Sequence, residues 1–175
     1  MQSYNQASSP AHGLKTDLPA DAAALLTFKV AGQLYGVPVN KVIRIIEMVT
    51  ITHLPEAPDT IQGLINLHGQ PVPVMDLHRR FGLPRPAYGL HTPIVLVDAA
   101  AGDSPPRPLG LVVDSVQQVV EAPGGPLGEP TPTQQSASYL LGVMKLERQM
   151  LLLLNLPALL RPAELASLAV TLTEV

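Results

Sequence analysis

Asp76 and His78 are the residues whose types and spacing come nearest to chemistry in this 175-residue chain. Two positions apart on a strand, a carboxylate and an imidazole would share one face and could contribute to a metal site, but two ligands do not complete one. The competing reading is structural: Asp76 stands where it can cap a short helix over Leu77–Phe81, its carboxylate accepting backbone N–H groups. The other histidines, His12, His53, His68 and His91, show no HxxxH or HExxH spacing. Cysteine is absent, which removes disulfides, thiolate catalysis and thiolate zinc sites and is compatible with a reducing compartment. There is no GxSxG elbow and no GxGxxG or P-loop pattern, and Pro126 follows Gly124-Gly125 where a phosphate cradle would want an N–H. Asp98 and Asp114 each follow an apolar strand, where a turn role is the default. No active site is expected, and no cofactor.

Charge and composition narrow the partners. Eleven Lys+Arg against fourteen Asp+Glu give a net charge of −3, without the basic surplus and stacking aromatics of a nucleic-acid binder. Met1–Ala20 lacks a basic start followed by an apolar run, so no secretory leader is expected. The longest apolar stretch, Met150–Leu154, is far short of the roughly 20 residues that cross a bilayer, so a soluble protein without direct membrane insertion is expected. With 46% hydrophobic residues, no Trp and only Phe28 and Phe81 as phenylalanines, the core must be built from Val, Ile and Leu.

The elements that would position these residues are short strands. Residues 1–22 are polar, without a hydrophobic period, and read as a loose tail. Leu25–Val30 and Leu34–Val37 flank Ala31-Gly32-Gln33 as a tight hairpin. Val39, Val42, Ile43 and Ile46 recur with a helical period, while Arg44–Ile51 is equally consistent with a strand, so a helix followed by a strand is expected. Ile61–Leu67 turns at His68-Gly69 into Gln70–Met75, where Pro71 and Pro73 alternate as on a sheet edge. One helical turn follows over Asp76–Phe81. Pro93–Val97, Leu109–Val113 and Val116–Val120 are further strands, and Pro105-Pro106-Arg107-Pro108 reads as a stiffened loop. Residues 122–136 read as a long exposed loop. Tyr139–Leu146 and Met150–Leu154 form a last hairpin, with Leu151–Leu154 as a buried central strand, and Pro157–Leu168 is helical. Roughly nine or ten short strands at this spacing point to an all-β barrel architecture and away from a doubly wound α/β enzyme.

The order of motifs resembles the CheW family. Phe28…Tyr35-Gly36-Val37 and Val42-x-x-Ile45 open the resemblance. Its most specific piece runs through Leu54-Pro55…Pro58…Gly63…Asn66-Leu67-x-Gly69…Pro71-Val72-Pro73-Val74-x-Asp76-Leu77. Gly110–Val116 and Tyr139-Leu140-x-Gly142…Arg148…Leu152-Leu153 complete it. The resemblance implies a mostly β fold: two five-stranded SH3-like barrels packed together over residues 23–169, a C-terminal helix, and a C-terminal tail at 170–175. It also implies a non-catalytic cytoplasmic adaptor. Its partners would be the regulatory domain of a CheA-type histidine kinase and the cytoplasmic tip of a methyl-accepting chemoreceptor. By position, Val42, Arg44, Asn66, His68 and Gly69 would border the receptor contact. Gly63 falls in the kinase-contact region, where a backbone conformation closed to side chains explains it equally well.

Two positions depart from the family. Arg44 stands where the family usually has Glu, and His68 where it usually has Arg. Drift at exposed positions is one account; a matched acidic residue on the receptor is the other. The departures also favour a version that fills rings and binds the kinase but no receptor, or a divergent pathway. The rival from another class is a small β-barrel ligand- or metal-binding protein using Asp76 and His78.

Overall fold

The structure, a computed structural model, describes residues 23–122 and 138–173, with side chains described as far as residue 169. The expected tail at 1–22 and nearly all of the expected loop at 122–136 lie outside the described residues. Ten strands and two helices follow in order: β1 (Ala24–Val30), β2 (Gln33–Pro38), β3 (Val42–Glu47), β4 (Ile61–Leu67), β5 (Gln70–Asp76), α1 (Leu77–Arg80), β6 (Pro93–Asp98), β7 (Pro108–Val112), β8 (Ser115–Glu121), β9 (Leu140–Leu146), β10 (Gln149–Leu154) and α2 (Pro162–Thr173). Single 3₁₀ turns stand at Val39–Lys41 and Leu156–Ala158.

The strands form two five-stranded sheets, ordered β8-β1-β2-β10-β9 and β3-β6-β7-β5-β4. Each repeats one pattern, with two antiparallel pairings, then a parallel one (β2 with β10, β5 with β7), then a final antiparallel pairing. The second sheet is an uninterrupted stretch of chain inserted between β2 and β8 of the first. Two SH3-like barrels thus interleave in sequence.

Side-chain alternation explains why so many strands lack a polar face. Leu151 and Leu153 point into the interior of the first sheet, beside Leu25 and Leu34, while Leu152 and Leu154 point into a large core shared by both sheets. Ile94 and Leu96 likewise fill the interior of the second sheet while Val95 and Val97 enter the shared core. A strand buried on both faces reads as a continuous apolar run. Leu151–Leu154 is therefore the buried central strand expected of it.

Three expectations need correction. The helical period across Val39–Ile46 resolves into one 3₁₀ turn and an edge strand; β3 is apolar on its exposed face too, and that filled in the alternation. Pro71 and Pro73 do not mark a sheet edge, because β5 lies between β7 and β4. β7 pairs only with Val74–Asp76, so the prolines occupy the end of β5 that β7 does not reach and no ladder donor is lost there. The final helix begins at Pro162 rather than Pro157. Arg161 precedes it, and the Glu164 carboxylate accepts the Arg161 N–H at 2.7 Å, half of a capping box.

Candidate functional site

Val42 and Arg44 sit on β3, one edge of the second sheet, and Asn66, His68 and Gly69 on the β4–β5 hairpin at its other edge. Ile46 and Met48 on one side, and Ile65 and Leu67 on the other, pack into the same small core, so the sheet curls until both edges border one barrel. Val42 is half-buried against the shared core, whereas Arg44 is exposed. At the hairpin, His68 (φ +50°) and Gly69 (φ +82°) form a two-residue turn with both residues left-handed. Asn66 Oδ1 accepts the Gly69 N–H at 2.7 Å and holds that turn. Gly63 lies apart from both groups, on β4 against the Thr52 backbone.

The strongest surface feature was not singled out from sequence. Ile43 and Ile45, which flank Arg44, are 48% and 44% exposed, and Val39 and Val49, just before and after β3, are exposed as well. An exposed apolar edge strand templates unwanted pairing unless a partner covers it. The signal available in the sequence was the unbroken run Val42-Ile43-Arg44-Ile45-Ile46, too apolar for a strand with one wet face.

Asp76 and His78 do not converge. Asp76 is wholly buried and caps α1: its Oδ1 accepts the His78 N–H at 3.0 Å and the Tyr88 hydroxyl at 2.7 Å, and its Oδ2 takes Arg85 Nε at 3.2 Å and Gln62 Nε2 at 3.3 Å. Both oxygens are already engaged by protein donors. His78 turns the other way, with Nε2 at 2.7 Å from Asp114 Oδ1. Asp114 also accepts the Ala31 N–H at 2.7 Å, and Asp98 accepts the Ala100 and Arg107 N–H groups at 2.9 Å, so both act at turns as expected. The helix-cap reading of Asp76 is the one the fold adopts. Among the described residues no group of three or more His, Asp or Glu side chains could hold a metal.

Four of the six aromatic side chains meet where the sheets join. Phe28 stacks with Tyr35 at 6.3 Å, Tyr35 with Phe81 at 4.8 Å, and Phe81 tilts against Tyr139 at 5.0 Å. Burial, and secondarily Tyr139, push the Tyr35 hydroxyl from 10.0 up to about 12. A proton held more tightly in the fold than in the unfolded chain stabilises the fold below pH 10. That contribution is lost as pH rises through 12. Ionising Tyr35 should therefore cost on the order of 2 kcal/mol over this window. Tyr35→Phe should remove the Tyr35 share of the alkaline loss and leave that of Tyr88, whose hydroxyl is also pushed up by burial and its bond to Asp76, read as urea-unfolding midpoints alongside tyrosinate absorbance.

The CheW-like domain family matches residues 24–164. The chain belongs to the CheW family. Its relatives include the chemotaxis protein CheW of Klebsiella aerogenes, 29% identical over 144 residues, which cover 81% of this chain and 83% of that one. CheW of Treponema pallidum is 27% identical over 149 residues, covering 83% and 86%. The crystal structure of the scaffolding protein TtCheW from Thermoanaerobacter tengcongensis superposes with a TM-score of 0.72 at 28% identity, over 82% of this chain and 95% of that one. The two-sheet fold and C-terminal helix are thus those of a CheW scaffold, and the chain is a chemotaxis adaptor of that kind. Among the described residues no helix is long and apolar enough to cross a membrane.

Proposed function

We propose that this CheW-family chain is a non-catalytic cytoplasmic adaptor holding a chemoreceptor tip and the regulatory domain of a CheA-type kinase in fixed geometry. The observation that carries this reading is the apolar edge of β3, unpaired among the described residues, where Ile43 and Ile45 flank Arg44 on a doubly cored scaffold. Two barrels with their own interiors and a shared core give the stiffness a positional function needs, and the β3 strip gives a partner something to bury. Val42, Arg44 and the Asn66–Gly69 hairpin would border the receptor. Gly63 would act on the kinase side through the Thr52 backbone it admits.

Arg44 then serves as a selectivity charge. A receptor surface matched to it carries an acidic residue, and charges at an interface rim act mainly on encounter rate and on exclusion of wrong partners. Calorimetric titration with the kinase regulatory domain and with receptor tip fragments from the same genome tests the reading. Saturable binding of both is expected, with Arg44→Glu weakening the native receptor about tenfold and leaving the kinase unaffected. Kinase binding without any receptor binding would instead make the chain a ring-filling member. Binding of neither would overturn the adaptor reading.

A further inference from the structure

We propose that α1 is a latch that fixes the relative orientation of the two barrels, with the His78–Asp114 contact as its directional element. α1 is fastened on two sides. On the second sheet, Asp76 holds its N-terminus, and the Asp76 N–H donates to the Thr60 carbonyl at 2.8 Å. Toward the first sheet, His78 Nε2 meets Asp114 Oδ1 at 2.7 Å, in the connection from β7 to β8. Asp114 is itself pinned to the β1–β2 hairpin, donating its N–H to the Lys29 carbonyl at 2.9 Å and accepting that of Ala31 at 2.7 Å. Phe81, directly after α1, stacks on Tyr35 of β2.

The choice of histidine is what separates a latch from ordinary packing. His78 is 4% exposed, and its Nδ1 is buried with no hydrogen-bond partner among the described residues. An apolar side chain would leave no buried polar atom at this place, and Asp114, whose side chain is 34% exposed, can turn its freed oxygen to water. The shared apolar core holds the sheets together but is non-directional. A hydrogen bond aimed from one barrel to the other selects one rotation among the close-packed alternatives. The consequence for signalling rests on the adaptor reading: a partner on one barrel can influence a partner on the other only if the barrels move as one body.

Because the chain has no cysteine, a spin-label pair can be introduced on exposed strand positions, Gln70→Cys on β5 and Lys145→Cys on β9. The full chain should give one narrow inter-label distance. His78→Leu should broaden or shift that distance while leaving the urea midpoint nearly unchanged, because Asp114 keeps the Ala31 N–H and the Nδ1 burial is relieved. Asp114→Ala, which removes the partner of His78 outright, should move the distance in the same sense and serves as the test if His78→Leu does not fold. Unchanged distances would overturn the latch. With kinase domain and receptor fragment both present, His78→Leu should bind each alone within about twofold of wild type but lose the effect of one on the other. Retention of that effect would also overturn the latch. Wild type that binds neither partner defeats the adaptor reading alone, since the distance measurement needs no partner.

Discussion

Asp76→Ala is expected to lower stability by about 3–5 kcal/mol, a large share of what a small domain has. The carboxylate is fully buried and gathers donors from three directions: the backbone of α1, the hydroxyl of Tyr88, and the side chains of Arg85 and Gln62. Alanine removes the helix cap, worth about 1 kcal/mol by itself. It also strands the Tyr88 hydroxyl and leaves Arg85 to seek water, which it can do because its side chain is 42% exposed. Asp76→Asn separates these effects. Asparagine is a good cap, but its amide would set donors against Gln62, Arg85 or Tyr88, so a loss of about 1–3 kcal/mol is expected. Urea unfolding followed by circular dichroism measures both. Equal losses for the two variants would mean that the donor clash in Asp76→Asn costs as much as the cap it keeps is worth.

How much of this could be read from the sequence depends on how local each cause is. The cap was legible, because Asp76 followed by Leu77-His78-Arg79-Arg80-Phe81-Gly82 contains both the acceptor and the end of the turn. The rest of its surroundings was not: Gln62 comes from β4 and Arg85 and Tyr88 from the segment between α1 and β6, which only the fold brings together. Strand content was legible wherever both faces are buried, as in Leu151–Leu154, since the run itself names the environment. It failed at β3, where an exposed face carrying Ile43 and Ile45 breaks the rule that alternation marks the wet side. Pro71 and Pro73 misled for a different reason. They report a missing neighbour locally, and the late start of β7 against β5 supplies that within an interior strand. The contacts that α1 and the following Phe81 make toward the first sheet, from His78, Arg80 and Phe81 to Asp114, Tyr139 and Tyr35, join residues far apart in sequence and left no periodic trace.

Gly63 poses the sharpest choice between a contact and a conformation, and Gly63→Ala should resolve it. The glycine sits at φ +154° beside an irregularity in the β4–β5 ladder. A Cβ there would overlap the Thr52 carbonyl oxygen and stand 2.8 Å from Ile51 Cγ2. The obstacle is backbone, which cannot swing aside as a side-chain tip can. Thr52 is fixed by paired bonds to Leu64, both 2.8 Å, so relief requires breaking that bridge and moving residues 51–52 off β4. Losing two hydrogen bonds and adopting a strained conformation together cost about 3–5 kcal/mol. Gly63→Ala is therefore expected to lower the urea midpoint substantially. Amide exchange at Thr52 and Leu64 should accelerate more than exchange in β10, whose ladder lies in the other sheet. If Gly63 served only as a surface for the kinase, the same variant would keep its midpoint and its protection at Thr52 and lose affinity alone. The two accounts thus make opposite predictions for a measurement that needs no partner. A weakened kinase contact in a destabilised Gly63→Ala would be read as displacement of the Thr52 segment, with the glycine acting through the shape it permits.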